Sequence, residues 1–210
     1  PDALSSGFGH RFAGFPDDEG GTLVTTTIAG SPEDRTTSRF LPEAMPTPSL
    51  SIDGLSNQDN VNEFNLLIMP PDMNGDIGPQ HYVQIANSLF RVYDKTGAAL
   101  TPPMRISSLF APLGTVCANR NDGLPVVLYD QIADRWLISQ VCTGFVPFRQ
   151  MIAVSKTGDP AGEYFAYEFA MPSVRLNDFP KLGVWPDAYY MSTDEFFGAD
   201  YVGTGMFAFD

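Results

Sequence analysis

Apolar residues in this chain come in short runs separated by turn residues, and the runs recur. His81-Tyr82-Val83, Arg135-Trp136-Leu137 and Tyr189-Tyr190-Met191 each read as a short strand, and their central residues Tyr82, Trp136 and Tyr190 stand 54 residues apart, twice over. Each is approached through a proline: Pro79, Pro125 and Pro186. A second strand follows each time. Two of these enter the same turn, Asp94-Lys95-Thr96-Gly97 and Ser155-Lys156-Thr157-Gly158, and Phe207-Ala208-Phe209-Asp210 is the third equivalent. A period of about 50 residues built from short strands is the signature of a propeller blade. The expected fold is therefore all-β, a β-propeller with about three blades of roughly 54 residues.

The strands predicted along the way are Tyr82 to Ile85, Ser88 to Asp94, Val126 to Tyr129, Trp136 to Val141, Met151 to Ser155 and Tyr164 to Phe169. Leu182 to Trp185, Tyr189 to Ser192 and Met206 to Phe209 complete them, and Asn65 to Met69 is a short apolar run. In Glu163 to Phe169 aromatics fall at every second position, the period of a strand. No segment sustains a period of 3.6, so little helix is expected. Residues 1–60 are rich in Gly, Ser, Thr and Pro, with one predicted strand from Leu23 to Ile28, and they read as an irregular arm or partial blade preceding blades over 61–210. Propellers close with about four to eight blades, and a partial ring leaves open strand edges. The expectation is a piece of a longer propeller, or one completed by another polypeptide.

Composition agrees with a folded, turn-rich domain: 43% of residues are hydrophobic and 18% charged, with 19 Gly and 18 Pro falling between the apolar runs. No window approaches 18 consecutive apolar residues, so no membrane span is predicted. The net charge of −13 argues against a nucleic-acid partner, which needs clustered Lys and Arg, and suits solubility or the collection of cations. The chain begins at Pro1 with no leader-like stretch, which reads as a processed, exported protein. Its two cysteines, Cys117 and Cys142, flank a predicted strand pair whose antiparallel pairing brings their surroundings together. A disulfide is expected, with two buried free thiols as the alternative.

Several stretches carry a resemblance over residues 50–210. Asn74-Gly75-Asp76-Ile77-Gly78-Pro79-Gln80-His81-Tyr82-Val83, Pro125 to Gln140, Ala153 to Tyr164 and Asn177-Asp178-Phe179-Pro180-Lys181-Leu182-Gly183-Val184-Trp185-Pro186-Asp187-Ala188-Tyr189-Tyr190-Met191 occur in that order. Together they resemble a group of secreted bacterial β-propeller proteins of largely uncharacterised function. The resemblance implies a propeller, export to the extracellular space or cell surface, and often a longer chain with adhesion-like or anchoring modules. It implies no reaction. Gly123-Leu124-Pro125 departs from it, since such proteins carry a carboxylate before that proline.

Candidate chemistry is sparse. Asp72, Asn74 and Asp76 space three oxygen donors at every second residue beside glycines, a pattern that suits Ca²⁺. Val83 stands where an EF-hand would carry its bidentate Glu, so the motif is not an EF-hand, and the plain alternative is an Asp/Asn/Gly turn. Thr157 to Tyr164 is reminiscent of the Asp-box turn of sialidase-type propellers, whose role is structural. Asp178, Asp187, Asp194 and Glu195 are the candidate acids for glycoside hydrolysis. Trp136 and Tyr190 are expected in the core, Trp185 is left open between core and sugar stacking, and Arg135 and Lys181 pair with acids or point to a central channel. Neither cysteine has a His nearby, His81 alone makes no metal site, and zinc-protease, α/β-hydrolase and nucleotide motifs are absent from the sequence. The leading expectation is a calcium-stabilised binding or assembly module. Its partner would be the remainder of its own propeller, another extracellular protein or a polysaccharide. The rivals are an extracellular carbohydrate-active enzyme, hydrolase or lyase, and a structural shell or filament subunit joined by strand addition.

Overall fold

The computed structural model describes residues 46–210, and the predicted strand from Leu23 to Ile28 lies outside them. Thr47–Asp210 forms one compact unit. It opens with a short helix, α1 (Asn57–Phe64). Asp59 accepts the Ser56 backbone N–H at 2.7 Å, and Asn65 ends the helix in the left-handed region at φ 53°. Those are start and stop signals of a helix, but its surface lacks an apolar stripe, so hydrophobic periodicity does not reveal it.

Eleven strands follow in three antiparallel meanders. The first sheet is β1 (Asn74–Ile77), β2 (His81–Ala86), β3 (Leu89–Asp94) and β4 (Met104–Arg105), paired in that order. The second is β5 (Val126–Asp130), β6 (Arg135–Cys142), β7 (Arg149–Ser155) and β8 (Tyr164–Ala170). The third is β9 (Leu176–Trp185), β10 (Ala188–Phe197) and β11 (Asp200–Phe209). Tyr82, Trp136 and Tyr190 all lie on the second strand of their sheet, so the sequence period is the period of the sheets. The all-β expectation holds. The run Asn65 to Met69 is no strand: it is loop, and Leu66, Leu67 and Met69 are exposed.

The first two sheets bury a common core in which Val83, Ile85, Phe90, Val92, Trp136, Ile138 and Met151 pack together. Trp136 is fully buried, and its indole N–H donates to the Gly158 carbonyl at 3.1 Å. Tyr190, expected in the core, is 43% exposed and donates to Asp187 at 3.0 Å instead. The reason is facial. Tyr189 and Met191, its neighbours on β10, take the inward face: Tyr189 donates to Asp130 of β5 at 2.8 Å and Met191 is buried. Trp185 is 68% exposed. Cys117 and Cys142 form a disulfide with Cα atoms 5.7 Å apart, tying the loop before β5 to the end of β6.

Candidate binding site

Strand β5 lies beside β1 on one flank and β9 on the other. It is an edge strand of its sheet, and its backbone N–H groups would otherwise be unpaired. Side chains of β1 take them: Val127 N–H donates to Asn74 Oδ1 and Tyr129 N–H to Asp76 Oδ2, both at 2.7 Å. The matching advance on the two strands shows that β1 and β5 run in the same direction. The second Asp76 oxygen accepts its own Ile77 N–H at 2.8 Å. The expected calcium loop is thus a strand whose Asn74 and Asp76 oxygens fasten one sheet to the next.

Asp72 lies elsewhere, at the entry to β1. That entry has equivalents at the other two sheets. Asp72 and Leu124, each two residues before β1 or β5, hold φ of 39° and 51°, and Phe179, the fourth residue of β9, holds 47°. Left-handed backbone is rare for Leu and Phe and disfavoured before proline, which follows both. Such outliers concentrate at functional sites. A Cβ built on Gly123 would lie 3.8 Å from Asp72 Oδ2, so this carboxylate stands over the β5 entry. Its pKa is raised by burial, lowered by the Leu124 backbone, raised again by Asp178 and lowered by Lys181. The neighbours that act on this carboxylate are Leu124, before the second sheet, and Asp178 and Lys181 of the third. Lys181 in turn sits 3.5 Å from the centre of the Phe179 ring, which is 58% exposed. On β9 the Lys181 ammonium and the exposed Phe179 ring thus stand together, with Asp178 next to Phe179 in the chain.

The candidate acids of the third sheet are divided. Register sets Asp178 opposite Asp194 and Asn177 opposite Glu195, so these four share one end of the sheet on two faces. Asp187 stands in the turn at the other end. The loop from Thr157 to Tyr164 behaves as a structural turn: Asp159 accepts Ala161 N–H at 2.9 Å, and Tyr164 donates to the Pro160 carbonyl at 2.8 Å. Arg135 donates to the Ser155 carbonyl at 3.0 Å. Among the described residues no group of three or more His, Cys, Asp or Glu is arranged to hold a metal, and no helix is long and apolar enough to cross a membrane.

Sequence reasoning passed over Leu124 and Phe179. Their signal was an X-Pro pair at the head of a predicted strand, which reads as extended backbone and conceals the left-handed turn. It also passed over three buried polar residues: Gln140 and Gln150 in the largely buried strands β6 and β7, and Thr193 in β10. Comparison of the chain with protein families, curated proteins and solved structures finds no match. The fold defines an all-β protein of three antiparallel sheets.

Proposed function

We propose that this chain is part of a β-propeller that acts as an extracellular or cell-surface binding module, with a polysaccharide docking at the mouth formed by Asp72, Asp178, Lys181 and Phe179. The observation that carries the reading is the exposed Phe179 ring with the Lys181 ammonium 3.5 Å from its centre, on the sheet whose Asp178 and Lys181 act on the Asp72 carboxylate. Three meanders with one period, and first strands packed side by side, support the propeller. A buried disulfide supports an oxidising compartment. Carboxylates and an ammonium bond hydroxyl groups, and an exposed ring offers a stacking face, which together suit a polyhydroxylated ligand. Asn74 and Asp76 already accept N–H groups of β5, and no part of this reading depends on calcium at Asp72, Asn74 and Asp76.

Affinity electrophoresis or calorimetry against a panel of neutral, acidic and basic polysaccharides tests the proposal. Wild-type protein is expected to bind at least one class, with Phe179→Ala and Asp178→Asn each weakening it about tenfold or more, the loss of a contact of about 1.4 kcal/mol. No binding across the panel, or undiminished binding by both variants, contradicts it. One observation favours a second reading as a retaining glycosidase: Asp178 and Asp194 are direct cross-strand partners. Neighbouring side chains at such positions stand about 5 Å apart, near the carboxyl spacing of retaining enzymes. Release of reducing sugar by wild type and its loss in Asp194→Asn would favour the enzyme over the binder.

A further inference from the structure

The third strands of the three sheets are not flanked alike. β3 pairs with β2 and β4, and β7 with β6 and β8, so each has an antiparallel strand on both sides. β11, the third strand of its sheet, pairs with β10 alone among the described residues. Past a bulge beside Glu195 and Phe196, residues 203–209 pair with β10 without interruption. The backbone N–H and C=O groups on their other side therefore form a regular row with no ladder partner. Natural edges stay short or carry Lys, Pro or an inward charge. β4 is two residues long. β11 is ten residues long and has no Lys, Arg or Pro. It offers apolar contact on both faces: Met206 is 83% exposed, and on the opposite face the Phe209 ring lies 4.7 Å from that of Phe169 on β8.

An extended chain docks on such an edge by strand addition, in which main-chain bonds hold it and alternate side chains select it. β4 and β8 show what fills this position in the other two sheets, and both are antiparallel to the strand they flank. Charge narrows the occupant. Residues 188–210 contain Asp194, Glu195, Asp200 and Asp210 and no Lys, Arg or His. Asp200 opens β11 and Asp210 follows it. A second copy of the same edge would bring like charges together, whereas a strand with basic flanks is attracted. We propose that the open edge of β11 takes up an extended strand of another polypeptide, apolar on both faces and flanked by Lys or Arg, as an antiparallel fourth strand. The site is separate from the saccharide reading and does not rest on it.

The test is fluorescence anisotropy of a labelled peptide of alternating Val and Ala between paired lysines, titrated with the 210-residue chain. Saturable binding is expected. It should weaken about tenfold or more when every second residue of the peptide is Pro, which removes main-chain donors, and when its flanking lysines become Asp. Met206→Lys places a charge at a position that is already exposed, so the fold is kept, and should weaken binding by a similar factor. Hydrogen exchange locates the added strand: bound peptide should slow amides of residues 203–209 and leave those of β8 unchanged. No binding, equal binding of the Pro-substituted peptide, or slowed exchange at β8 instead overturns the proposal. A dimer that forms through β11 with rising concentration also overturns it, since a second copy would then be the occupant.

Discussion

Asp72 keeps its carboxylate over a backbone turn that half withdraws it from water, and burial raises its pKa above 3.8. The folded chain thus holds that proton more tightly than the unfolded chain. The sign follows: the contribution of this group is most favourable at low pH and declines as pH rises from the unfolded value through the folded one. Asp72→Asn removes that dependence. The variant is expected to gain stability relative to wild type between pH 3 and pH 7, measured by urea unfolding at both values. A difference that is constant across that range contradicts it. Single residues also mark where sequence reading stops. Trp136 and Tyr190 share a period and a strand position, yet one is core and the other is not. Period fixes which strand a residue joins; the face depends on register, and in β10 its neighbours Tyr189 and Met191 take the inward side. Nor does a lone Thr193 or Asn177 announce that it will be buried, since both are residues usually found at the surface.

Elements were legible where apolar residues dominate them. β2, β3 and β5 to β8 follow from runs of Val, Ile, Leu and aromatics. β1 was not legible, because Asn74-Gly75-Asp76 has the composition of a turn. Its polar side chains serve as substitute ladder partners for the edge of β5, a role set by a strand from another sheet. The last three strands run longer than predicted because pairing with one another carries polar and glycine residues into the sheet. The fastening of β1 to β5 makes a specific prediction. Asp76→Ala strands the Tyr129 N–H and should cost about 1–3 kcal/mol, with faster amide exchange at Tyr129 than at core positions of β6. Gly78→Ala should also destabilise, by roughly 1–3 kcal/mol from overpacking, since its Cβ would meet Trp136 at 2.8 Å and Tyr129 at 3.1 Å. A melt of Asp76→Ala equal to wild type would show that the Asp76 bond to Tyr129 does not help fasten the sheets.

At the scale of the molecule, one meander occurs three times and its first strands adjoin in turn, β1 to β5 and β5 to β9. The spacing of three aromatics was enough to foresee the repeat, since each sheet needs the same length of chain for its strands and turns. The mouth was not foreseeable in the same way. It depends on which ends of which strands meet, and that follows from packing between sheets. The joining of residues from the first and third sheets at that mouth is the central claim, and it can be read from a single proton. The pKa of the Asp72 carboxyl should be followed by NMR across pH in wild type and in Asp178→Asn. A neutral amide at position 178 no longer opposes ionisation at Asp72, so the account predicts a lower Asp72 pKa in the variant. An Asp72 titration that is the same in both proteins would mean that the entries of β1 and β9 do not share one mouth, and would contradict the account.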